Sequence, residues 1–249
     1  ELWVATTKGL FIIKAETVSI MDQQQGLLSD NVQSLTLDGN DQVWISQLSG
    51  GISCIQATSK NILYAYSDRK LKHAQNIFFD KEQNLWAATK DNGIQLLKKG
   101  SQEWIIISEA QGLANKNVQS IISDSWGNIW IGTAGGGLNK FLGQYFTYYN
   151  SDTGLNGNRI YAIMEDSRNT LWVSVDDKGV STIDSTGIQT DVDGSYINSK
   201  CNHIMEDYLG RLWMSTDGEG LVMKDSVEYW VFNELDGLPS SWIKTTAQD

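Results

Sequence analysis

Few side chains in this 249-residue chain are of a kind that does chemistry unaided, and their spacing narrows the choice. The histidines are His73 and His203, the cysteines Cys54 and Cys201. Neither histidine has a second histidine or an acid at metal-ligand spacing, and two distant cysteines make neither a zinc site nor a disulfide framework. Arg69, Arg159, Arg168 and Arg211 do not form a trio converging on a carboxylate, since Arg168 and Arg211 fall in turns of the opposite face. No nucleophile, base and orienting group form a set. No catalytic residue, metal or cofactor is expected, and the chain reads as a non-enzyme. The stretch "SDSWGNIWIGTAGGGLNKF" (123–141) is glycine-rich enough to suggest a phosphate cradle. Such a loop occurs once and leads into a helix.

This stretch is instead one of six. "ELWVATTKGLFII" (1–13), "QVWISQLSGGISCI" (42–55), "NLWAATKDNGIQLL" (84–97), "NIWIGTAGGGLNKF" (128–141), "TLWVSVDDKGVSTI" (170–183) and "RLWMSTDGEGLVMK" (211–224) share one pattern. Their tryptophans, Trp3, Trp44, Trp86, Trp130, Trp172 and Trp213, stand 41, 42, 44, 42 and 41 residues apart. A second shared piece precedes each of the last five tryptophans and recurs at the C-terminus: "NVQSLTLD" (31–38), "HAQNIFFD" (73–80), "NVQSIISD" (117–124), "RIYAIMED" (159–166), "KCNHIMED" (200–207) and "WIKTTAQD" (242–249). Its terminal aspartate, followed by Gly or Asn, is tight-turn chemistry. A glycine recurring at one place per repeat marks a strand-to-strand turn, not a phosphate site.

With outer segments such as "YFTYYN" (145–150) and "EYWVFN" (228–233), each unit of about 42 residues holds four short strands and no helical period. The expected fold is all-β: a β-propeller of six four-stranded blades forming a single domain, 1–249. "WIKTTAQD" could complete the blade begun by "ELWVATT" and close six blades, or the six could belong to a larger array. The repeated tryptophan would fill the space between neighbouring sheets. Trp104 and Trp230 are expected to pack in outer strands, and Trp126 to lie in a turn of the opposite face.

The net charge of −11 argues against a nucleic-acid binder, which needs a basic face. No run of about 18 apolar residues could span a membrane, and no signal-peptide pattern opens the chain. Membrane attachment is expected only through segments outside this sequence.

"GLANKNVQSIISDSWGNIWIGTAGGGLNKF" (112–141) and "GLLSDNVQSLTLDGNDQVWISQLSGGISCI" (26–55) resemble the two-component regulator propeller repeat. The resemblance implies the periplasmic or extracellular sensor of an inner-membrane receptor, signalling to a histidine kinase outside this chain. It further implies a glycan-fragment ligand and a homodimeric receptor. Sensors of this family commonly carry more blades. The Gly-Leu lead-in to the inner strand is missing at "YSDRKLK" (66–72) and "VDGSYINS" (192–199). The alternatives are a protein-binding scaffold and a lyase or hydrolase on the same architecture.

In a propeller the inner-strand starts and the glycine turns gather on one face. That column holds His73, Arg159, Lys200 and Trp242, with Lys116 one place before it and Tyr161 and Lys244 two places further along. These seven are the expected ligand-binding residues. Their bases suit an anionic oligosaccharide, and Trp242 offers a ring face for a sugar. Acids of the glycine turns, Asp91, Asp176, Asp177, Asp217 and Glu219, could instead pair with the bases and cancel the field. Cys201 is expected to be buried among apolar residues of the inner strands.

Overall fold

The computed structural model describes residues 1–14, 17–175, 178–190, 196–246 and 248. Among them the chain is strand and turn, with short 3-10 segments and no α-helix. It is a six-bladed β-propeller of antiparallel sheets, five with four strands in sequential order and the first with three described strands. Two compact units divide it, 1–121 and 122–249, the boundary falling inside an inner strand, Val118–Ser123.

In the first unit, blade 1 is Leu2–Thr6, Gly9–Lys14 and Thr17–Met21. Blade 2 runs from the inner strand Val32–Leu37 through Gln42–Gln47 and Gly51–Gln56 to the outer strand Ile62–Tyr66. Blade 3 follows as Ala74–Phe79, Leu85–Thr89, Ile94–Leu97 and Trp104–Ile107. Apolar side chains pack between neighbouring blades: Leu10, Ile12, Val43 and Ile45 between blades 1 and 2, and Trp44, Ile52, Leu71, Ile77 and Leu85 between blades 2 and 3.

Blade 4 comprises Val118–Ser123, Ile129–Thr133, Leu138–Phe141 and Phe146–Tyr149. In the second unit, blade 5 comprises Ile160–Glu165, Leu171–Val175, Val180–Asp184 and Gly187–Gln189. Blade 6 comprises Cys201–Glu206, Leu212–Thr216, Leu221–Lys224 and Tyr229–Phe232. Trp130, Ile163 and Val173 seal blade 4 to blade 5, and Trp172, Ile204 and Met214 seal blade 5 to blade 6. After blade 6 the chain lies beside its inner strand: Asn202 Nδ2 donates to the Ile243 carbonyl at 2.9 Å and the Thr246 amide to His203 Nδ1 at 3.4 Å.

Two columns hold each blade together. The aspartate closing the inner strand accepts the amides of its own turn, as Asp124 does from Trp126 and Asn128. Its other oxygen takes the indole N–H six residues on, at 2.7 Å for Asp80–Trp86, 2.8 Å for Asp124–Trp130, 2.9 Å for Asp166–Trp172 and 2.8 Å for Asp207–Trp213. Trp44 donates to Asp38 in the same way at 3.3 Å, and leaving such a buried indole N–H unpaired would cost about 1–3 kcal/mol. The recurring glycine is the second column. At Gly93 and Gly137 φ is +68° and +71°, and an added Cβ would lie 2.4 and 2.3 Å from the outer-strand carbonyls of Ile107 and Tyr149. The triple glycine is therefore the expected strand turn.

The Gly-Leu lead-in caps a 3-10 turn at Gly26, Gly112 and Gly154 and buries Leu27, Leu113 and Leu155. Where the motif is missing, Leu71 and Ile197 are the buried residues instead. Residues 192–195 of the second departure lie outside the described residues.

In the second unit, consecutive blades are clasped. Glu165 accepts the Ser125 amide at 2.6 Å and its hydroxyl at 3.0 Å. Glu206 accepts the same two groups of Ser167 at 2.6 and 2.8 Å. Gln248 accepts the Tyr208 amide at 2.9 Å. Each clasp residue directly precedes a repeat aspartate and reaches back to the turn of the blade before it.

Candidate functional site

The inner-strand starts line up beside the glycine turns because those turns bond to them. The Gly93 amide donates to the Lys116 carbonyl at 2.9 Å, and the Asp217 and Gly220 amides donate to the Lys200 and Ser241 carbonyls at 2.8 and 2.9 Å. A glycine turn is thus flanked by the strand start of its own blade and that of the next.

In the first unit this brings His73 and Lys116 to one turn, Asp91–Gly93. His73 Nδ1 lies 2.8 Å from Asp91 Oδ2, both side chains half-exposed. The pairing removes His73 from the set of unengaged bases.

The second unit holds the richer group. Lys200 Nζ stands 4.4 Å from the centre of the Tyr161 ring, a cation–π contact. Lys244 Nζ pairs with Asp217 Oδ1 at 2.7 Å, and Asn202 Nδ2 donates to the same oxygen at 2.6 Å. Burial works against the charge on Asp217, but these bonds and the two nearby lysines outweigh it and hold the carboxyl below its ordinary range. Burial lowers the pKa of Lys200; Asp217 opposes this shift and Lys244 adds to it. No carboxylate within ion-pair distance neutralises Lys200 among the described residues. Trp242 bridges to Asp217 through the backbone and is 63% exposed, so its ring stands open at the rim. Arg159 bridges to Ala134 through the backbone, at the glycine turn of blade 4, and makes further contacts.

The expected residues therefore fall into two groups, His73 and Lys116 in one unit and Arg159, Tyr161, Lys200, Trp242 and Lys244 in the other. Two of the expected acids do pair, Asp91 with His73 and Asp217 with Lys244. Glu219 is taken up by the Ser199 hydroxyl and the Asn198 amide, while Asp176 and Asp177 lie outside the described residues. Sequence reading missed Asn202 as a fixer of Asp217; it stands in the same column as Tyr161 and Lys244, which was the available signal. His203 accepts from the Thr246 amide, and burial lowers its pKa. Both cysteines are buried and outside any disulfide, Cys54 with its thiol pushed up to about 12 by burial and the nearby Asp38. No three of His, Cys, Asp and Glu are placed to hold a metal among the described residues.

Blades of this build, with an aspartate–tryptophan bond in the second to sixth repeats and a recurring glycine turn, define a β-propeller. Residues 112–135 and 154–177 match the family model described as two component regulator propeller, which bears out the resemblance drawn from the sequence. No curated protein matches the chain in sequence. Among solved structures, it is similar to an extracellular domain of B. thetaiotaomicron named as a hybrid two component system (TM-score 0.83, 16% identity, covering 99% of this chain and 36% of that one). Another extracellular domain of that organism, named as a one component system, matches with TM-score 0.82 and 18% identity over 97% of this chain and 33% of the other. Virginiamycin B lyase of Staphylococcus aureus matches more loosely, with TM-score 0.65 and 18% identity over 81% of this chain and 69% of the enzyme. At such identities the likeness carries the fold. The chain spans about a third of the length of these two extracellular domains.

Proposed function

We propose that this chain is an extracytoplasmic ligand-sensing propeller of a membrane-anchored sensor, and that its rim site at blades 5 and 6 takes a glycan fragment bearing an anionic group. The observation that carries the site is Lys200: a half-buried ammonium resting on the Tyr161 ring with no carboxylate in contact. A partly desolvated cation gains most from an incoming anion. The exposed Trp242 ring, on the strand start bridged to Asp217, offers a face to a sugar. Family match and fold likeness support the sensor reading by analogy. A ligand held better by one arrangement of a receptor homodimer would shift it toward that arrangement and pass the signal to a kinase outside this chain.

The test is calorimetric titration with trigalacturonic acid and with maltotriose as its neutral counterpart, at low and high salt. The acidic sugar should bind, weaken with salt, and lose about tenfold in affinity in Lys200→Ala and in Trp242→Ala. Equal affinity for the two sugars, or indifference to both substitutions, would remove the rim as the site.

A further inference from the structure

The junction between blades 2 and 3 differs from those of the second unit. Phe79 occupies the position held by Glu165 and Glu206, so no carboxylate clasps the preceding turn, and Gln83 Oε1 takes the Gly39 amide instead at 3.2 Å. The junction stands open. A cavity of about 710 Å³ runs from the turn at Asp38–Gln42 past Trp44, Tyr64 and Tyr66 to Lys98–Gln102. At the blade 5–6 junction, behind the Glu206 clasp, the corresponding cavity is about 280 Å³. A further cavity of about 310 Å³ lies between Asp68–Leu71 and the outer strand of blade 3. Tyr66 lines the first and Trp104 the second, and their rings meet edge to face at 5.6 Å.

Two features of this cleft call for an occupant. The first is aromatic: Trp44, Tyr64 and Tyr66 stack with centroids 6.2 to 6.4 Å apart, and Tyr64 is 53% exposed. The second is polar. Gln95, 1% exposed, lines the smaller cavity with an Oε1 that has no partner, and Trp104 Nε1 is likewise buried and unpaired. The amide orientation of Gln95 is fixed, because its Nε2 donates to the Asn92 carbonyl, which only accepts. The smaller cavity is therefore lined by one residue with an unpaired buried donor and one with an unpaired buried acceptor. A carboxylate would satisfy the indole and repel the amide oxygen; an ammonium would do the reverse. Hydroxyl groups both accept and donate, so a chain of them can serve each. The charges along the walls, Asp38 with Lys98 and Lys99, and Asp68 and Glu103 with Lys70, nearly balance and select no ion.

From this we infer that the blade 2–3 cleft is a second binding site, taking a neutral polyhydroxylated chain that stacks on Tyr64 and hydrogen-bonds Trp104 and Gln95. It is independent of the rim site and of the sensor reading.

The test uses this chain labelled at the indole nitrogens and titrated with maltohexaose, cellohexaose, xylohexaose and mannohexaose. The Trp104 indole resonance, assigned by its loss in Trp104→Phe, should move with at least one of them, and salt should leave the affinity unchanged. Trp104→Phe, which keeps a ring, and Tyr64→Ala at an exposed position should each weaken binding about tenfold, while Trp126→Ala leaves it as it was. A silent Trp104 resonance with all four sugars, or binding untouched by both cleft substitutions, overturns the site and leaves the two polar groups to a bound water. Movement of the Trp242 resonance alone would overturn the cleft while leaving the rim standing.

Discussion

The blade 2–3 junction and the blade 5–6 junction are made from the same repeat, yet one is open and the other shut. In the second, Glu206 holds both polar groups of Ser167, and the remaining space is lined by charged and polar groups such as Arg168, Lys224 and Asp225. In the first, the clasp position is Phe79, the turn residue is Gly39, and Leu97 stands where blade 6 has Lys224. The swap exchanges a polar latch for an aromatic lining. A repeat architecture can therefore place a cleft at one junction by changing single positions, without altering the strands that carry them.

The sharpest way to break this comparison is to cut into both junctions. Trp172→Ala, in the sealed junction, should cost about 3–5 kcal/mol, since a large buried ring leaves a cavity. Tyr64→Ala in the open one should cost less than about 1 kcal/mol, because half its surface already faces water. Urea unfolding of both variants measures the contrast, and equal losses would show that the cleft is core. Next comes acid. Burial pushes the Asp207 pKa up, but bonds from Trp213, Arg211 and Leu209 win and hold it at about 2. An aspartate depressed in the folded state stabilises above its unfolded pKa of about 3.9 and loses that contribution as pH falls toward 2. Asp207→Asn should therefore flatten the stability profile between about pH 4 and 2 in acid titrations followed by fluorescence. The smallest effect concerns the clasp itself. Glu206→Ala should cost on the order of 1 kcal/mol, and the pair Gly39→Ser with Phe79→Glu should install a latch at the open junction. An added Cβ at Gly39 meets only the Gln83 side-chain oxygen, at 3.3 Å, so the serine fits if Gln83 gives way. A crystal structure of that double variant would show whether the cavity shrinks.

Much of this was legible from spacing alone. The tryptophan column, the turn aspartates and the recurrent glycine all follow from a period of about 42 residues. The six-bladed all-β fold followed from them. The indole–aspartate bond was not read, although both residues recur six apart, because hydrogen-bond direction is not a pattern property. The clasp was hidden for a different reason. Glu165 and Ser125 are 40 residues apart, and their pairing shows only when one blade is laid against the next. Trp104 was expected to pack, and it does; that its indole nitrogen finds no partner depends on side-chain placement, which no period encodes. At the rim, the bases were legible as a column, but which of them an acid would take up was not. Lys244 and His73 were paired, and Lys200 was not.

The backward reach of the clasps bears on how the chain is made. Glu165, Glu206 and Gln248 each tie down a turn 39 to 40 residues earlier in the chain. A blade emerging during synthesis thus waits for the next inner strand before its own turn is secured. At roughly 5–20 residues per second that delay is on the order of a few seconds. During it the turn is held only by its own aspartate. Assembly of the second unit then resembles a zip fastener, each tooth locked by its successor.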